Sequence, residues 1–165
     1  MGLNQTIISW VKSKVGTNVT GKISGASECW DLAEEALREN QAKTSNDVMG
    51  KSFKPPYKWG TAINSFGQLQ AGDIVQFKLY KYTESNGAYQ ERGNSSWPYH
   101  TAIIGAVVGG DNDELEVYEQ NIPQGGTVQA CTLYFKSKNT ITVKGSFAKN
   151  WWFYRFFNRR SKYVT

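Results

Sequence analysis

One histidine, His100, serves all 165 residues, and there are only two cysteines, Cys29 and Cys131. One imidazole and two distant thiols offer no ligand cluster of the usual spacing for zinc, and no metal is expected. Nothing else calls for a cofactor. Two cysteines in unlike contexts make no disulfide framework either, which suits a reducing compartment. No apolar run is long enough to span a bilayer, and the amino terminus lacks the charged start, apolar stretch and small-residue cleavage site of a secretory signal. The expectation is a chain that is cytoplasmic as encoded, or exported by a route without a signal peptide. Met1-Gly2-Leu3-Asn4-Gln5-Thr6 matches the short pattern for myristoylation of Gly2, relevant only in a eukaryotic host; a plain start followed by glycine accounts for it as well.

What is present is the composition of a folded domain: 39% apolar and 14% aromatic residues, with 16 glycines to punctuate loops. The length suffices for one core, so residues 1–165 read as a single domain, with its core over about 25–157 and a basic tail at 158–165. Nineteen Lys and Arg against fourteen Asp and Glu leave a charge of +5, a bias toward anionic partners such as a cell-wall polymer, nucleic acid or a lipid surface.

Leu3, Ile7, Trp10, Val11 and Val15 recur at helical steps and predict an amphipathic helix within residues 1–20, ended by Gly16. Ser27 is a candidate cap for a second helix over 28–40, burying Leu32, Ala33, Ala36 and Leu37. Residues 41–56 are polar and turn-rich. Strands are expected at 74–80, 100–108, 114–121, 128–135 and 151–157, with a long polar loop over 83–98. Helices first and then a meander of about five strands is α+β, an antiparallel sheet packed on the second helix.

Cys29 lies in the first turn of that helix, where amide dipoles favour an anion, and His100 opens a strand. Alternation places His100 on one sheet face with Ala102 and Ile104. On the next strand Glu119 and Asn121 share a face with Leu115 and Val117. A short turn at 109–113 brings His100 beside Glu119 and Asn121. A carboxylate or amide accepting from one imidazole nitrogen leaves the other to hold the thiol proton. The candidate catalytic set is Cys29, His100, Glu119 and Asn121. The Cys29 amide is one oxyanion donor, with Ser24 and Ser27 as guesses for a second. Trp30, Trp59, Trp97 and Tyr99 are the candidate substrate contacts. Cys131 alternates with Leu133 and Phe135 and reads as core packing. The aromatic and arginine-rich stretch at 151–160 has the look of a single-strand nucleic-acid surface, but no accompanying nucleic-acid signature supports it, and a last core strand explains it better.

Glu28-Cys29-Trp30-Asp31-Leu32, Ala71-Gly72-Asp73-Ile74-Val75-Gln76-Phe77, His100-Thr101-Ala102-Ile103-Ile104 and Val117-Tyr118-Glu119-Gln120-Asn121 resemble, in order, the motifs of CHAP domains. These belong with the papain-like, NlpC/P60-type cysteine amidases and peptidases. A narrower resemblance is to the CHAP-like domains at the carboxyl end of some fungal actin-patch proteins. The resemblance implies a papain-like fold with the nucleophile at Cys29, the base at His100, the orienting acid at Glu119 and the following Asn at Asn121. It also implies cleavage of amide bonds, commonly in peptidoglycan. Glu28 stands where bacterial CHAP domains usually carry Gln, and Trp30 is bulkier than the usual residue after the nucleophile. Three functions follow: a thiol hydrolase of amide or peptide bonds, possibly on peptidoglycan; a CHAP-like peptide- or protein-binding module without turnover; and, least supported, a nucleic-acid binder.

Overall fold

The structure, a computed structural model, describes residues 2–50, 54–111, 113–144 and 151–159. Among these residues three α-helices come first: α1 (Leu3–Lys12), α2 (Cys29–Glu39) and α3 (Ser45–Met49). Nine strands among the described residues follow: β1 (Thr61–Ile63), β2 (Ile74–Lys78), β3 (Tyr80–Glu84), β4 (Tyr89–Arg92), β5 (Tyr99–Gly109), β6 (Glu114–Glu119), β7 (Gln129–Tyr134), β8 (Ile141–Lys144) and β9 (Trp151–Arg155). The class is α+β, as expected. Among the described residues no helix is long and apolar enough to cross a membrane.

The sheet is not the simple meander of about five strands that local pattern suggests. Six strands form it in the order β1-β9-β2-β5-β6-β7, and β4-β3-β8 make a second, three-stranded sheet. The last strand, β9, inserts between β1 and β2, pairing Ile63 with Phe153 and Val75 with Phe153 on its two sides. The predicted loop over 83–98 holds a β-hairpin, with Tyr82 opposite Gln90 and Tyr80 opposite Arg92. Its turn carries Asn86-Gly87, with Gly87 at φ +86°, a dipeptide that supplies the left-handed backbone a tight hairpin needs. The basic tail falls mostly at 160–165, outside the described residues.

The large sheet buries two faces. Ile74, Ile103, Tyr118 and Tyr154 pack under Ile7 and Val11 of α1 and Leu32, Ala33, Ala36 and Leu37 of α2. Val75, Phe77, Ala102, Ile104, Leu115, Val117 and Leu133 pack on the opposite face with Tyr80 and Tyr82 of the small sheet. A sheet covered on both sides reads as continuous apolar runs, which is why β5 carries Ala102-Ile103-Ile104 without polar alternation. Leu37 is fully buried on α2; truncating it to Ala would cost roughly 2–5 kcal/mol. The first helix ends at Lys12 rather than running to Val15, which is 49% exposed.

Candidate active site

The N-terminus of α2 is fixed before any chemistry is considered. The helix starts at Cys29, with Glu28, not Ser27, as its N-cap. The Glu28 amide donates to Asp31 Oδ2 at 2.8 Å, and Ser24 Oγ donates to Asp31 Oδ1 at 2.5 Å. Burial pushes the Asp31 carboxyl up against these hydrogen bonds. The loop closes so tightly on this carboxylate that a Cβ at Gly21 would sit 2.0 Å from Asp31 Oδ1; only glycine fits. From the sheet side, Gln120 Nε2 donates to the Glu28 carbonyl at 2.8 Å and to the Val19 carbonyl at 2.9 Å, while its Oε1 accepts from the Val19 amide at 3.0 Å. Cys29 is therefore held at the first helical position, where its N–H has no acceptor within the helix.

His100, 4% exposed, is the second residue of β5, opposite Phe77 of β2, and their rings lie 5.4 Å apart. Its Nε2 lies 2.9 Å from Glu119 Oε2 on β6. That leaves Nδ1 for the Cys29 sulfur, whose side chain is within hydrogen-bonding reach of the ring. Burial pulls the imidazolium down, but Cys29 first and Glu119 next outweigh it and push His100 up to about 9. Glu119, fully buried, is held well below the usual carboxylate range: burial opposes ionisation, but His100 and then Arg92 overcome it.

Arg92 escaped sequence reading. It ends β4, in the segment expected to be loop, and is 1% exposed. Its Nε donates to Glu119 Oε2 at 2.8 Å and Oε1 at 3.0 Å, and its Nη2 donates to Oε1 at 2.5 Å. Nη1 is spent on the Glu91 carbonyl at 3.0 Å and Nη2 also on Gln90 Oε1 at 3.1 Å. A fork held this way fixes the carboxylate plane and hence the imidazole that rests on it. The Asn86-Gly87 turn between alternating segments was the signal that could have found this strand.

The structure brings together Cys29, His100 and Glu119. It places Asn121 elsewhere: this residue, at φ +66°, donates from Nδ2 to the Glu28 carboxylate and accepts the Gly125 amide at 2.6 Å. Asn121 thus ties down the carboxylate beside Cys29 rather than the imidazole. Ser24 donates its hydroxyl to Asp31 and so is not free to serve as an oxyanion donor, and Ser27 Oγ lies 3.0 Å from Thr20 Oγ1. Cys131, expected to be simple packing, has its Sγ 3.1 Å from Glu119 Oε1, and burial and then that carboxylate push its thiol well up.

Two of the four expected substrate aromatics belong to the core. Trp59 is fully buried, and Trp30, 8% exposed, donates from Nε1 to Ser45 Oγ at 2.9 Å. Ser45 in turn donates to buried Glu34 from its amide at 2.6 Å, locking α3 onto α2. Trp97 is 79% exposed, and Tyr99 is partly exposed immediately before His100. Tyr57, which sequence reading passed over, is half-buried against Trp30 at a centroid distance of 5.8 Å. Burial and then Cys29 raise its phenol.

A thiol at a helix start, an imidazole on an adjacent strand and a buried carboxylate behind it form the constellation of cysteine acyl-transfer sites. Known proteins agree on the scaffold. The crystal structure of the wild-type endolysin LysIME-EF1 superposes with a TM-score of 0.52 at 16% identity, covering 90% of this chain and 66% of that one. At that identity the likeness speaks for the fold alone. Altered inheritance of mitochondria protein 3 from Debaryomyces hansenii is 28% identical over 129 residues, covering 70% of this chain and 12% of that protein. The chain therefore spans a small part of the length of the relative it matches. The model of the AIM3/BBC1 cysteine proteinase-fold domain matches residues 3–137. That match covers most of the chain, including all three members of the Cys29-His100-Glu119 cluster, and the chain belongs to this family of cysteine proteinase-fold domains.

Proposed function

We propose that the protein is a thiol-dependent hydrolase of amide or peptide bonds, with Cys29 as nucleophile, His100 as acid and base, and Glu119 as the group that orients and charges the imidazole. The observation that carries this reading is the single file of Cys29, His100, Glu119 and Arg92, closed to water at the Glu119 end. In a low dielectric a buried carboxylate backed by a guanidinium favours an imidazolium, and an imidazolium favours the thiolate as nucleophile. The thiolate attacks the carbonyl carbon, and the Cys29 amide donates to the developing oxyanion. The tetrahedral adduct collapses as the C–N bond breaks and His100 passes its Nδ1 proton to the leaving amine. With the sulfur acylated, the neutral imidazole takes a proton from water, which attacks the thioester and releases acid and thiolate. Peptidoglycan stems or crossbridges are a special case of this chemistry that the resemblance to CHAP domains suggests, and the +5 charge would favour an anionic polymer.

The rate of iodoacetamide labelling at Cys29 as a function of pH tests the reading, with mass spectrometry separating Cys29 from Cys131. Labelling well below pH 8 that is lost in His100→Ala is the expected result; labelling no faster than a free thiol would sink the hydrolase. A second reading, a peptide- or protein-binding module without turnover, is favoured by the Glu28 carboxylate beside the nucleophile and by the small share of its relative that the domain occupies. It predicts binding that survives Cys29→Ala.

A further inference from the structure

Beyond His100 the sheet carries a feature that the catalytic file does not use. Lys78 at the end of β2 pairs with Tyr99 of β5, and Gln76, two residues earlier, pairs with Trp152 of β9. Alternation puts Lys78, Tyr99 and Trp152 on the sheet face that carries α2, and Trp152 joins Tyr57 against the helix-side core. The Tyr99 and Trp152 ring centroids are 5.9 Å apart, and Lys78 Nζ lies 5.6 Å from the Tyr99 centroid. All three residues stay partly exposed, whereas Ile74, Ile103 and Tyr154 of the same face are buried.

Lys22, Lys81, Lys136 and Lys138 each meet a carboxylate, whereas Lys14, over the Trp10 ring, and Lys78 rest on aromatic faces. Among the described residues Lys78 makes no ion pair, and its ammonium rests only on the face of a ring. A half-desolvated cation beside an aromatic platform lacks an anion, and the platform lacks an apolar cover. Tyr99 directly precedes His100 on β5 and by alternation looks to the opposite face, the one that carries α2 and hence Cys29, so the shelf lies on the thiol's side of the sheet.

Resting on the thiol-hydrolase reading, we propose that Lys78, Tyr99 and Trp152 form a subsite selecting peptides with a bulky apolar side chain next to a carboxylate. The apolar side chain covers the Tyr99 and Trp152 rings. The carboxylate takes the Lys78 ammonium as a charge-assisted hydrogen-bond partner. Acidic dipeptide units such as Phe-Asp fit this chemistry, while Phe-Lys fails on charge and Gly-Asp on apolar cover.

Protection of Cys29 against iodoacetamide by short peptides reads the shelf without requiring turnover, and works whichever side of the scissile bond it serves. Acetyl-Gly-Phe-Asp-Gly-amide, acetyl-Gly-Phe-Lys-Gly-amide and acetyl-Gly-Gly-Asp-Gly-amide are compared, each rate taken relative to the same variant without peptide, so that changes in thiol reactivity cancel. The Phe-Asp peptide is expected to half-protect at about a tenth of the concentration the other two need, roughly one good contact's worth. Lys78→Glu should reverse the order of Phe-Asp and Phe-Lys, and Trp152→Ala should erase the advantage of Phe over Gly. Equal protection by all three peptides, or preferences unmoved in Lys78→Glu, overturns the subsite. Lys78→Glu decides the matter should Trp152→Ala not fold. Slow labelling of the unprotected thiol would instead count against the hydrolase, and protection remains measurable at higher pH in that case.

Discussion

Cys29 and Cys131 stand on opposite sides of one carboxylate. Cys29, at the start of α2, faces His100, which rests on Glu119 Oε2; Cys131, on β7, lies 3.1 Å from Glu119 Oε1. The two thiols are the same group in unlike surroundings: Cys29 meets His100, whereas Cys131 lies against Glu119 Oε1 with Arg92 Nη2 3.5 Å from its sulfur. Burial and Glu119 push the Cys131 thiol well up and keep it protonated, a donor to the carboxylate. Cys29 instead pushes its neighbour His100 up. Reactivity here is a property of the neighbour, and Glu119 sets both neighbours at once.

The sharpest way to break the contrast is to remove the cation. His100→Ala should lower turnover of any peptide amide by about 10²- to 10⁴-fold, the usual worth of a positioned acid-base group. Cys29 should then label with iodoacetamide no faster than a free thiol. If Cys29 still outran that reference without the imidazole, the helix start and not His100 would be its activator. The next effect is structural. Arg92→Met strips the fork from a fully buried carboxylate and should destabilise the fold by roughly 3–5 kcal/mol, the range for breaking one partner of a buried pair. Chemical denaturation measures it, and Arg92→Lys should recover part of the loss by restoring charge without the fork.

A single histidine makes the third test unambiguous, because only one imidazole titrates in the spectrum. His100 is pushed up to about 9 chiefly by Cys29, against the pull of burial. Nuclear magnetic resonance titration should find it there in the wild type and lower, toward the ordinary 6.5, in Cys29→Ala. The sign carries to catalysis. A raised imidazolium keeps its proton below about 9, so the step that protonates the leaving amine is available there and fades as pH rises through that value. A His100 that titrates unchanged in Cys29→Ala would show that the two side chains are not electrically coupled.

The parts of this site that sequence made legible are those set by local periodicity. Alternation along β5 and β6 was enough to put His100 and Glu119 on one face, and the helical stripe of Leu32, Ala33, Ala36 and Leu37 placed α2 on the sheet. What escaped depends on distant pairing. Nothing in residues 151–155 says that β9 inserts between β1 and β2, since that choice is made by burial on both faces of the finished sheet. Arg92 was hidden in the same way: a charged residue in a polar stretch reads as surface until the hairpin folds it against Glu119. Asn121 was misplaced because alternation assigns a face but not the backbone beyond the strand's end, where a φ of +66° turns its amide to Glu28. Trp59 and Trp30 read as ligand contacts by type, but burial is a tertiary fact.

The smallest expected effect lies at Cys131. Its thiol is one of four donors to Glu119, beside His100 Nε2, the Arg92 fork and Gln129 Nε2 at 3.3 Å. A thiol is the weakest donor of the four. Removing it in Cys131→Ala leaves the carboxylate satisfied, so the loss should stay near the worth of one hydrogen bond, about 0.5–1.5 kcal/mol. Cys29 labelling and the His100 titration should hardly move, because the two groups that fix the Glu119 plane remain. If Cys131→Ala instead slowed Cys29 labelling as far as His100→Ala does, the two thiols would be coupled through Glu119, and its carboxylate would be held less by Arg92 than the fork geometry requires.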